Sequence, residues 1–185
     1  IVGGSANSFV ISEKSNGAGR LRKYVNAKIT YFFPVGDNPN SNVGSEYTPL
    51  EITLHSGILN TGAFIEVATE NAKHTTNDSP IDYLLRYWVL NSQNTVNLRY
   101  SVNAYYTNAD IYGTETNSVA GQWNGVQWLE HIHIGSNILK LEGLTDFPLI
   151  NEITAGNPLK GREINVSGNG LIISSGDTTP DNYDN

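Results

Sequence analysis

Val96-Asn97-Leu98-Arg99-Tyr100-Ser101-Val102-Asn103-Ala104 alternates apolar and polar side chains without a break. Successive side chains of a strand point to opposite faces, so this run places Val96, Leu98, Tyr100, Val102 and Ala104 on one face. Asn97, Arg99, Ser101 and Asn103 then lie on the other. A helix would scatter the same residues around its axis. The segment is a half-buried strand.

The same period recurs on both sides of it. Ala27, Ile29, Tyr31 and Phe33 alternate with Lys28, Thr30 and Phe32 before Pro34 and Gly36. Leu50, Ile52 and Leu54 alternate with Glu51, Thr53 and His55, and Ala63, Ile65 and Val67 with Phe64, Glu66 and Ala68. Downstream, Trp123-Asn124-Gly125-Val126 predicts a hairpin, because Asn-Gly accepts the two positive φ angles of a type I′ turn. Gln127 to Ile134 alternates again, as do Leu139 and Leu141. Short strands separated by Asn, Gly and Ser predict an all-β chain. The expected fold is an antiparallel β-sandwich, immunoglobulin-like or jelly-roll, over about residues 8–155.

One segment is ambiguous. Ile81, Leu84, Leu85 and Trp88 have helical spacing behind Ser79-Pro80, whereas Tyr83, Tyr87, Trp88 and Val89 favour a strand. Pattern alone leaves the two readings even. Gly156-Asn157-Pro158 marks a boundary between a module at 1–157 and a strand plus polar tail at 158–185. In that tail Ile164, Val166, Leu171 and Ile173 flank a Gly-Asn-Gly break. Such an apolar strand is expected to fold back on its own sheet or to pair with a neighbouring copy, since an unpaired edge is unfavourable.

Composition excludes several functions. The 185 residues carry 11 basic and 18 acidic side chains, a net −7, with no basic cluster to hold nucleic acid. Mean hydropathy is −0.31, and no run approaches the ~20 apolar residues of a spanning helix. Without cysteine there is no disulfide, thiolate metal site or cysteine nucleophile. The absence of methionine, with Ile1 first, is expected of a processed product whose signal peptide has been removed.

Candidate sites follow from residue chemistry. Ile1-Val2-Gly3-Gly4 matches the activated terminus of a trypsin-like protease, but the Gly-Asp-Ser-Gly-Gly context of that nucleophile is missing. His131 and His133 share a strand face and form a candidate metal pair. The runs Asp37-Asn38-Pro39-Asn40-Ser41-Asn42 and Asn108-Ala109-Asp110 offer the hard oxygen ligands that suit Ca²⁺, without a complete EF-hand pattern. Glu51, Glu66, Glu130 and Glu142 lie on strands, and a close pair of such carboxylates would permit glycoside chemistry. Tyr105, Tyr106, Tyr112, Trp123 and Trp128 are the richest aromatic group. Exposed, they would stack on sugar rings; buried, they would fill the sandwich.

Five phrases follow one another in order: Phe33-Pro34-Val35-Gly36, Tyr47-Thr48-Pro49-Leu50, Arg86-Tyr87-Trp88-Val89-Leu90, Trp123-Asn124-Gly125 with Trp128, and Gly143-Leu144-Thr145-Asp146-Phe147. Their succession over residues 20–155 resembles a β-rich module of large secreted and surface proteins of Bacteroidetes-type bacteria. The tail, Glu163 to Gly170 and then Gly176-Asp177-Thr178-Thr179-Pro180, resembles the entry strand of immunoglobulin-like choice-of-anchor D repeats. The resemblance favours a strand for residues 81–90. It implies export, a β-sandwich, a structural or adhesive place at the cell surface beside other domains or copies of itself, and no catalytic residues. Carbohydrate binding through the aromatics is the alternative function, and a glycan-active enzyme the third.

Overall fold

Strands make up the body of the chain. The computed structural model describes residues 9–12, 19–37, 46–131 and 133–157. Its strands are β1 (Val10–Ile11), β2 (Leu21–Tyr24), β3 (Thr30–Phe33), β4 (Val35–Gly36), β5 (Leu50–Glu70), β6 (Tyr83–Leu84) and β7 (Tyr87–Tyr105). They continue as β8 (Ile111–Tyr112), β9 (Val119–Trp123), β10 (Trp128–His131), β11 (His133–Gly135), β12 (Ile138–Thr145) and β13 (Glu152–Gly156). Two 3-10 turns, Asn108–Asp110 and Glu115–Asn117, are the helical elements among the described residues. None is long and apolar enough to cross a membrane. The predicted tail strand and the Ile1-Val2-Gly3-Gly4 terminus lie outside the described residues.

β5 and β7 organise everything else. They run antiparallel from Leu50 opposite Ala104 to Glu70 opposite Tyr87. Different partners flank their two halves. The half of β7 near Trp88 pairs with β13, then β9, then β10, while Phe64–Val67 of β5 takes β2. The half of β7 from Arg99 to Tyr105 pairs with β12, then β11, while Leu50–Thr53 of β5 takes β3. One continuous hydrogen-bonded sheet is thereby folded into the two layers of a sandwich. Leu50, Ile52, Val102 and Leu141 of one layer and Ile65, Val67, Leu90 and Ile153 of the other share a single buried core.

The sequence reading placed separate strands at Leu50–Leu54 and Ala63–Val67, and the structure joins them. Pairing slips between Leu54 and Ser56, between Ser56 and Ile58, and between Leu59 and Phe64. Asn94 and Asn97 on the facing strand take positive φ. These bulges bend and twist both strands where they cross from one layer to the other. Gly57 shows why glycine is needed there: at φ +114, an added Cβ would meet the Cα of Leu98 at 2.9 Å. Val96, expected on the core face, stands exposed opposite the exposed Ile58 within this zone.

Residues 83–84 and 87–90 are strands, not helix, with Asp82 at φ +59 before the first. The hairpin at Asn124-Gly125 is present, but its loop is four residues long, since Trp123 pairs with Trp128. Gly125 takes φ +93, and the Asn124 carboxamide oxygen accepts hydrogen bonds from the backbone N–H of Val126 and Gln127. Asn124 thus organises the loop through its side chain, where a type I′ turn would have used its backbone.

Candidate functional site

Two charged clusters stand out, one inside the fold and one on its face. The inner one centres on Arg86, which is fully buried. Its Nε donates to Asp110 (2.7 Å), its Nη1 to the Thr69 hydroxyl (3.1 Å), and its Nη2 to Asp37 (2.7 Å) and Glu46 (2.6 Å). Asp37 follows β4, Glu46 precedes β5, and Asp110 closes a 3-10 turn, so the guanidinium ties three remote parts of the chain together. The Asp110 carboxylate also accepts the backbone N–H and hydroxyl of Thr107, whose hydroxyl reaches Glu46 as well. Burial works against the Arg86 cation, but the carboxylates of Asp110, Asp37 and Glu46 outweigh it and raise its pKa. Burial pushes the Asp110 carboxyl up despite the pull of Arg86. The two calcium candidates, Asp37 and Asp110, are therefore brought together, with an arginine between them. Residues 38–42 of the first calcium loop lie outside the described residues.

The outer cluster lies on the face of the layer that contains β2 and β13. Leu21, Val67, Leu90 and Ile153 point into the core or pack on it, so their neighbours along each strand face away. Register places these neighbours in a row: Ala68 opposite Val89, Val89 opposite Glu152, Glu152 opposite Trp123, and Trp123 opposite Trp128. Arg20, one residue before β2, stands level with Ala68. A second row, two residues along, holds Arg22, Glu66 and Asn91. Glu66 accepts from Arg22 at 2.8 Å and from Asn91 at 3.2 Å.

A strap of chain, residues 71–79, crosses one end of this face. His74 is its anchor. Its Nδ1 accepts from the backbone N–H of Thr76 (3.2 Å), which leaves Nε2 as the donor to Glu152 (2.8 Å). The ring is packed edge-on against Tyr87 and Trp128, with centroids 4.8 and 5.0 Å away, and lies 6.3 Å from Trp123. Trp128 Nε1 donates to the Thr76 carbonyl, and Asn77 Nδ2 to that of Ala155. Trp123 and Trp128, singled out in the sequence as aromatics, are mostly buried here and pin the strap.

Beside the strap opens a groove of about 500 Å³. Val89 lies at its base, with Trp123, His74 and Glu152 on one side and Arg20 and Asn91 also lining it. Leu149 and Ile150 form an apolar lip, 100 % and 43 % exposed. This volume is within the usual range for small-ligand sites, which combine apolar walls with a few convergent polar groups.

The remaining sequence candidates are dispersed. Tyr105 donates to Glu51 on the other layer. Tyr106 is buried and donates to Glu115 at 2.6 Å, and burial pushes its phenol up. Tyr112 stacks on Tyr83, 4.6 Å between centroids, in the small β6–β8 sheet. His131 closes β10 opposite Ala120, while His133 begins β11 opposite Lys140. The strand that would have put both on one face is thus divided between different partners. The His133 side chain lies outside the described residues. Glu51 and Glu66 hold separate partners on different layers, and Glu130 and Glu142 are exposed on β10 and β12.

His74 gave no sequence signal, because it sits in a polar segment with no motif. Arg86 had one: an arginine directly before Tyr-Trp-Val-Leu, where a buried strand begins.

The chain matches no protein-family model, and no curated protein or solved structure is significantly similar to it.

Proposed function

We propose that the chain is a non-catalytic extracellular module, structural and adhesive, of a bacterial surface protein. One observation carries this reading: the recurring phrases supply the parts that hold the fold together. Phe33 and Leu50 fill the core, and Arg86 locks three loops. Trp88 Nε1 donates to the carbonyl of Thr48 inside the Tyr47–Leu50 phrase. Trp123 and Trp128 pin the strap, and Phe147 stacks on Tyr100 at 4.5 Å. A catalytic acid or base needs a site that can exchange a proton with substrate. Both ring nitrogens of His74 are instead engaged within the protein. The test is a panel of glycan, peptide and ester substrates offered to the purified protein. No turnover is expected, and turnover abolished by Glu152→Gln would overturn the reading. Self-assembly by strand addition belongs to the same proposal. Deleting residues 161–185 separates the two fates of that segment: a less stable monomer is the expected result, from a strand folded back on its own sheet, and lost oligomers with an equally stable monomer would show pairing between copies instead.

Carbohydrate binding is the second reading, and the groove beside Trp123 is what favours it. It combines the apolar lip of Leu149 and Ile150 with amide, hydroxyl and carboxylate groups. These suit the two faces of a sugar ring.

A further inference from the structure

We infer that this groove is a site for an acidic saccharide, a pyranose unit bearing a carboxylate, with Arg20 as the anion-binding residue. The inference rests on the carbohydrate-binding reading and narrows it to one place and one ligand class.

Register sets the length of the site. Arg20 and Glu152 are separated by β5 and β7, three strand spacings, which puts their backbones about 14 Å apart. Of the two residues between them in the row, Val89 lines the groove, whereas Ala68 is fully buried. A span of that size accommodates one or two sugar rings.

The ends differ in charge. Glu66 is hydrogen-bonded by Arg22 and Asn91 and also attracts the exposed Arg20 through space, while among the described residues no hydrogen bond or close ion pair holds the Arg20 guanidinium. An exposed guanidinium presents a planar fork that fits a carboxylate through two parallel hydrogen bonds. The opposite end offers Glu152, fixed by His74, and this carboxylate is an acceptor for sugar hydroxyls. Glu152 sits at the far end of the row, its backbone about 14 Å from that of Arg20. Ile150 stands level with Asn91 on the adjoining strand position and continues into the fully exposed Leu149. These two side chains supply the apolar contact that the C–H face of a pyranose seeks.

The fold itself does not need Arg20 or Leu149, since both are exposed; that makes them clean probes. Amide and indole NMR shifts of the full chain are followed during titration with digalacturonate, with cellobiose as the neutral control. Digalacturonate is expected to move Trp123 Nε1 and the Thr75 and Asn91 amides with saturating, fast-exchange shifts, and cellobiose far less. Arg20→Gln should weaken binding about tenfold, the loss of a charge-assisted contact, and Leu149→Ser severalfold. Equal binding of cellobiose in the groove would overturn the acidic class while leaving carbohydrate binding in place. Binding that shifts Tyr105 or Tyr112 instead would overturn the site alone. No shift with either sugar would overturn both. Unchanged affinity in Arg20→Gln would remove Arg20 from its role.

Discussion

The Arg86 hub and the His74 groove use the same materials to different ends. Each places a nitrogen base against a carboxylate, with threonines alongside. In the hub the guanidinium and its three carboxylates are sealed and cross-linked from every side. In the groove His74 is buried, yet the Glu152 it holds lies on an open wall with Arg20 and Leu149 in solvent. Satisfaction without access makes a lock, and satisfaction with access makes a recognition surface. The difference lies in what covers the cluster.

The comparison breaks most visibly at Arg86. Arg86→Ala would leave three carboxylates buried without their cation, and a cost of about 3–5 kcal/mol is expected. Chemical denaturation should show a large loss of midpoint, or no folded protein at all. A loss below about 1 kcal/mol would mean that the hub is not what locks the loops together.

His74→Ala is the matching change at the groove, and its effect should be smaller and local. Losing the bond to Glu152 costs about 1.5–3 kcal/mol. Hydrogen exchange should accelerate at Thr75, Thr76 and Asn77 while the β5–β7 amides stay protected. Glu152→Gln keeps an acceptor for His74 and should cost less than about 1 kcal/mol. Faster exchange throughout the sandwich in His74→Ala would put the strap in the same class as the hub.

Alkaline titration sharpens the contrast between buried and open groups. Burial, aided by Glu70 and Glu152, pushes the Tyr87 phenol up to about 12, and burial raises Tyr100 further. The unfolded chain ionises its tyrosines near pH 10, so the folded state binds more protons above that point. Stability should be undiminished below about pH 10 and fall as pH rises toward 12. Phenolate absorbance should lag behind that of free tyrosine until the protein unfolds. Titration of every tyrosine near pH 10 in folded protein would contradict this. The smallest effect belongs to Leu149→Ser: as a fully exposed position it should change stability by no more than about 0.5 kcal/mol.

Alternation revealed the segments of β3, β10, β11 and β12 and parts of β5 and β7, because a half-buried strand imprints its two faces on the sequence, but it did not reveal β2, β9 or β13. The union of strands into β5 and β7 escaped it. Gly57, Gly62, Asn94 and Asn97 are turn formers by type, and here the same positive-φ residues serve bulges inside continuous strands. The site was half legible. Trp123 and Trp128 were found by type, and Asp37 and Asp110 as loop oxygens, but their meaning depended on His74 and Arg86. Arg86 lies 24 residues from Asp110 and 49 from Asp37 in the sequence, and local patterns do not register contacts at that distance.

The two long strands also bear on how the chain folds. The residues paired in β5 and β7 are closest in sequence at Glu70 and Tyr87 and farthest at Leu50 and Ala104. Closing the shorter loop costs less chain entropy, so pairing is expected to begin at the Glu70 end and advance past the bulges. β3 and β12 can dock only after that front has reached the second layer. Both layers then depend on one ladder, and neither should melt alone. A single calorimetric transition, with slow refolding typical of long-range strand pairing, is the expected behaviour.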